Sequence, residues 1–143
     1  MTALIQILQT AISPVTLISG VGLLVLSMTN RFARTTDRAR ELARAARHES
    51  PDLAANQHIQ IQILYRRSRI LLYAISLALT SVFFISVVIV SLFVGSVLNL
   101  DQHIWIGILF TLSLLSLAAS LVLFIHDMTL ALQALKLELK DHL

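Results

Sequence analysis

Three long apolar runs organise the chain. Val15–Met28, extended upstream by the mixed segment 1–12, is the first; Ile70–Leu98 and Ile104–Ile125 are the others. None contains a formally charged residue. About 20 apolar residues cross the hydrocarbon core of a bilayer as a helix. The pattern therefore predicts an all-α integral membrane protein with three transmembrane helices, placed at 14–30, 70–98 and 104–126.

The polar positions predict where helices start and stop. Leu4, Ile5, Leu8, Ala11 and Ile12 fall at helical spacing, with Gln6, Gln9 and Thr10 between them, which reads as a separate interfacial helix over 1–12. Ser13-Pro14 then looks like an N-cap and first residue of a new helix. One continuous helix kinked at Pro14 is the alternative. No strong stop follows until Ser50-Pro51, where the same signature predicts a second start. Ile59, Ile61 and Ile63 alternate with glutamines in a strand-like period of two. Helix is expected there all the same, because the segment joins a helix start to a span. The third helix begins near His103 or Ile104 and runs on through 127–143, with Leu132, Leu135 and Leu139 recurring at spacings of three and four. The result is one membrane domain: three spans continued by a helical hairpin over 31–69 and a C-terminal helix over 127–143.

Composition strengthens this picture. The chain is 57% hydrophobic and 13% charged, with mean hydropathy +0.82. Soluble domains carry about 25% charged residues. The first segment has neither a basic leader nor a small-residue cleavage site, so it is not read as a signal peptide. There is no cysteine, which excludes disulfides and thiolate chemistry.

Charge sets the orientation. Residues 1–30 carry none, and then six arginines fall within 30–47: Arg31, Arg34, Arg38, Arg40, Arg44 and Arg47. Across 31–69, nine arginines stand against four acids, a net of +5, whereas 99–103 carries only Asp101. By the positive-inside rule, 31–69 is cytoplasmic, the N-terminus outside and the C-terminus inside.

Each constellation has a plain and a sharper reading. Arg34, Arg38, Arg40, Arg44 and Arg47 form a solvated face that also sets topology, or a surface for anionic lipids or another membrane protein. Nucleic acid is not expected, since aromatic residues do not interleave with them. Arg31, Arg66, Arg67, Arg69 and His126 gather at the inner boundary with Asp127, the one acid at that level. An ion pair from Asp127 to one of these arginines would clamp the helices together; a proton relay through His126 is the sharper alternative. Small and hydroxyl residues stud the spans, which allows close helix approach. On the first, Ser13, Thr16, Gly20 and Ser27 lead down to Arg31, a face that packs on another protomer or lines a pore. On the third, Gly107, Thr111 and Ala118 form one face, and Ser113, Ser116 and Ser120 another. Three spans cannot bury all these faces, which predicts a homo-oligomer. The histidines are scattered; His48 and His58, across a turn with Glu49 and Asp52 nearby, read as solvated turn residues, with a metal site as the sharper alternative, and no phosphate loop or nucleophile–base pair is present. No enzyme activity and no cofactor are expected.

The stretch Ile12–Arg40, with its ISPVTLISG opening, SMTNR junction and DRAR continuation, resembles a bacterial membrane family catalogued as domain of unknown function 2721. The resemblance extends to length and three-span plan. It implies a multi-pass protein of the bacterial inner membrane, and it transfers no activity and no functional residue. By architecture alone, the chain is also similar to the three-span stator subunits of proton-driven energising complexes. The expected function is therefore a structural or interaction module. The alternative is a homo-oligomeric ion channel or stator-like ion-coupled subunit with the first span near the axis.

Overall fold

The computed structural model describes residues 2–47, 51–98 and 102–140, and the side-chain surroundings of 5–6, 8–10, 12–47, 58–98 and 102–133. It contains three α-helices: α1 (Thr2–Ala45), α2 (Pro51–Leu98) and α3 (His103–Lys140). All three are long and apolar enough to cross a membrane, and no strand occurs among the described residues.

Helix α1 departs from the expected restart at Ser13-Pro14. It runs unbroken through Pro14, so residues 2–12 and the first span form one helix, the alternative reading, rather than two. The proline ring removes one backbone donor. Ending the helix there would expose several unpaired groups in an apolar stretch, which costs more. Hydroxyls nearby turn back onto the helix: Thr10 Oγ1 donates to the Gln6 carbonyl and Thr16 Oγ1 to that of Ile12, both at 2.9 Å. Helix α2 begins at Pro51, as its fixed φ favours at a first helical position; Ser50 lies outside the described residues. The Ile59–Ile63 stretch is helical.

Burial follows a seven-residue repeat. Among the described side chains, the buried positions of α1 are Pro14, Val21, Met28 and Thr35. Those of α3 are Ser113, Ser120 and Asp127. On α2 they fall in pairs: Leu71 and Ala74, Ala78 and Ser81, Ile85 and Val88. This is the 3.5-residue period of knobs-into-holes packing, in which alternate steps of three and four keep one seam turned inward.

The chain divides into two compact units. The first comprises Met1–Leu26 and Ser76–Ser120. Val21, Ala78, Ile85 and Val88 form its apolar core. Two buried serines meet within it, Ser81 Oγ and Ser113 Oγ at 3.2 Å, and Ser116 Oγ donates to the Leu77 carbonyl at 2.7 Å. Small side chains let α2 and α3 approach closely, and their hydroxyls bond across the gap. Large apolar residues face outward, among them Leu23, Phe83, Val90, Ile104 and Trp105. That inverts the economy of a water-soluble fold and suits a lipid surround. The second unit comprises Ser27–Ile75 and Leu121–Leu143, and its core holds Met28, Leu71 and Ala74 with Thr35 and Asp127.

Candidate functional site

Asp127 is the chemical centre of the second unit. It occupies an inward position of α3 and has no exposed surface. A buried carboxylate needs partners for both oxygens, and two helices supply them. Arg31 Nε of α1 donates to Oδ2 at 3.2 Å, and Arg67 Nε of α2 donates to Oδ1 at 3.2 Å. The Arg67 side chain is 14% exposed and that of Arg31 30%, so Arg31 reaches further toward solvent. The Arg31 guanidinium also stands over the Phe124 ring, 6.0 Å from its centroid. One acid thus joins all three helices.

Of the four arginines expected near Asp127, the structure brings two to it. Arg66 and Arg69 are exposed, because they lie off the inward seam that carries Arg67, Leu71 and Ala74. Arg69 instead lies between two tyrosines one turn away on either side. Its guanidinium is 5.9 Å from the Tyr65 ring centroid and 6.0 Å from that of Tyr73, and it donates to the Tyr73 hydroxyl at 3.3 Å. His126 is exposed beside Asp127, and its carbonyl accepts from Thr129 Oγ1 at 2.8 Å.

The arginines Arg34, Arg38, Arg40, Arg44 and Arg47 are all exposed. Arg38 pairs with Glu41 at 3.0 Å on that surface. Phe32, Ala39, Leu42 and Ala46 are half-buried and Thr35 buried on the opposite side, whereas Ala43 is exposed.

The stripe on the first span divides by environment. Ser13, Thr16 and Gly20 are exposed and line an open groove of about 580 Å³ with Leu17, Phe110 and Leu114. A Cβ added at Gly20 would meet nothing within 4 Å. Ser27 is exposed in the second unit, while Arg31 turns in to Asp127. On α3 the two small-residue faces separate: Ser113, Ser116 and Ser120 pack inward, and Gly107, Thr111 and Ala118 face out.

A second groove, of about 450 Å³, runs between α1 and α2 in the second unit. Phe32, Ala39 and Leu72 give it an apolar floor, and Arg40, Tyr65, Ser68 and Arg69 its polar edges. Thr36 also lines it, and its Oγ1 is buried without a hydrogen-bond partner.

Residues 11–137 match the family model described as Protein of unknown function (DUF2721). The chain belongs to this family. The match covers the Asp127 junction and both grooves of this DUF2721 protein. No curated protein and no solved structure matches it.

Ser81, Thr36 and Tyr65 do not stand out from composition. Ser81 is found by carrying the seven-residue seam from Leu71 through Ala74 and Ala78. The unpaired state of Thr36 has no counterpart in the sequence pattern. Among the described residues, no group of three or more His, Cys, Asp or Glu could hold a metal ion.

Proposed function

We propose that this protein is a multi-pass component of the bacterial inner membrane, acting as a structural or interaction module and assembling as a homo-oligomer. One observation carries the proposal: the single buried acid at the inner boundary is taken up on both oxygens by Arg31 and Arg67. A carboxylate held by two guanidiniums from two other helices is a clamp. An ion-coupled subunit needs an acid that can exchange its proton along a path.

The orientation in this proposal places the arginine-rich hairpin in the cytoplasm, extending the spans beyond the bilayer, with the N-terminus outside. The support is the charge asymmetry of 31–69 against 1–30 and 99–103. Assembly is supported by small residues that do no packing within the chain. Gly20 and Gly107 are exposed with open space beside them, and small residues on a span favour close helix–helix contact. The exposed arginines present a positive face to anionic lipids or to a partner membrane protein.

The outward stripe of Ser13, Thr16 and Gly20 favours a second reading, a channel or stator-like subunit with the first span at the symmetry axis. Native mass spectrometry from a mild detergent, combined with conductance in planar bilayers, separates the two. A discrete oligomer without conductance is expected. A conducting oligomer would replace the module reading with the channel, and a monomer would sink both.

A further inference from the structure

We propose that the α1–α2 groove of the second unit binds one anionic phospholipid, its phosphate between Arg40 and Arg69 and one acyl chain along Phe32 and Leu72. This rests on the membrane reading above, but not on the oligomer.

Polarity is graded along the groove. Phe32 and Leu72 lie two residues from the ends of uncharged runs, which close at Asn30 on α1 and open at Ile70 on α2. Arg40 lies eight residues beyond Phe32, about 12 Å along a helix. An amphiphile entering from the bilayer meets apolar side chains first and guanidiniums second. That order matches a phospholipid and fits no soluble anion, which has nothing to place on the apolar end.

Among the described side chains, neither Arg40 nor Arg69 pairs with a carboxylate, whereas Glu41 takes Arg38 and Asp127 takes Arg31 and Arg67. Arg69 is held in place by Tyr65 and Tyr73, which fixes a planar donor fork without neutralising it. Phosphate oxygens are the acceptors such a fork suits.

Thr36 supplies an independent observation. Thr10, Thr16, Thr35, Thr80 and Thr111 each donate to the carbonyl four residues back at 2.8–2.9 Å. Thr36 does not, and its buried oxygen is left unsatisfied on the groove wall. Leaving such a group unpaired is costly. Rotation about χ1 would turn the hydroxyl into the groove, where a phosphate or ester oxygen would accept its proton.

The test is native mass spectrometry of the full chain in mild detergent, titrated with phosphatidylglycerol and, separately, phosphatidylcholine of the same acyl chains. The first bound lipid is expected to be selective for phosphatidylglycerol. Arg40→Gln and Arg69→Gln should each weaken it about fivefold, the effect of one basic residue near an anionic headgroup. Thr36→Val should weaken it as well, and Arg47→Gln, outside the groove, should not. Arg69 is exposed and makes no contact with Asp127, so a thermal melt should confirm that its variant folds; Arg69→Lys, which keeps charge without the fork, should retain part of the selectivity. Equal binding of the two lipids, or indifference to Arg69→Gln, would overturn the site. Displacement by glycerol phosphate at matched concentration would overturn the acyl-chain half. Oligomer mass and lipid adduct are read from one spectrum, so failure of either proposal is seen apart from the other.

Discussion

Arg67 and Asp127 lie sixty residues apart in sequence and 3.2 Å apart in space, Nε donating to a carboxylate oxygen that has no exposed surface. Arg31 takes the other oxygen. Removing one partner of a buried ion pair is far more costly than replacing the whole set by apolar groups. Asp127→Asn should therefore destabilise the fold by about 3 kcal/mol, the low end of that range because Arg31 reaches solvent. Denaturant unfolding in detergent measures it, and a loss under about 0.5 kcal/mol, the scale of an ordinary surface substitution, would contradict the clamp.

The same geometry predicts coupling. Arg67→Met strands half of the carboxylate, but in an Asp127→Asn background there is no buried charge left to strand. The double variant should be more stable than the sum of its single effects by about 1 kcal/mol or more. Strict additivity would show that Arg67 contributes through its aliphatic stem alone.

The inner serine contact of the first unit is tightly enclosed, since Ser81 and Ser113 have no exposed surface. Ser81→Leu should cost about 1–3 kcal/mol by overpacking. Ser81→Ala should cost about 0.6 kcal/mol, typical of an interhelical hydrogen bond in a membrane protein. Thermal unfolding should rank the two in that order; equal shifts would argue against close approach at this point.

Gly20 gives the opposite expectation. A side chain there meets open space within the chain, so Gly20→Leu should leave thermal stability unchanged or slightly raised. If α1 forms the contact between protomers, the same variant should lower the oligomer mass. An unchanged oligomer mass in the folded variant would place the contact elsewhere.

Because the chain has no cysteine, single cysteines report topology without background. A cysteine at Arg44 should react with a membrane-impermeant maleimide only after cells are opened, and one at His103 in intact cells. Neutralising Arg34, Arg38, Arg40, Arg44 and Arg47 together should produce mixed orientations. A reversed pattern in the unmodified charge background would invert the assignment.

Much of this architecture can be read from the amino-acid pattern, and the exceptions have physical causes. The three apolar runs and the start at Pro51 are local signals, strong because one residue type dominates each. Pro14 misleads because Ser-Pro is a start signal in water, whereas an apolar surround penalises every unpaired backbone group and keeps the helix going. The choice of Arg67 over Arg66 and Arg69 depends on the register of α2, fixed from Leu71 to Val88 rather than by the arginines themselves. Likewise Ser113, Ser116 and Ser120 look no more inward than Gly107, Thr111 and Ala118 until the neighbouring helix is in place.

The buried seam also limits how the chain can change length. Each residue added to a helix turns everything beyond it by about 100°. One extra residue between Ala78 and Ile85 would swing Ile85 and Val88 outward and bring Phe84 and Val87 onto the seam in their place. Seven would restore the seam two turns further along. A change of length that keeps this seam in exact register therefore comes in steps of one heptad, about 10 Å at a time.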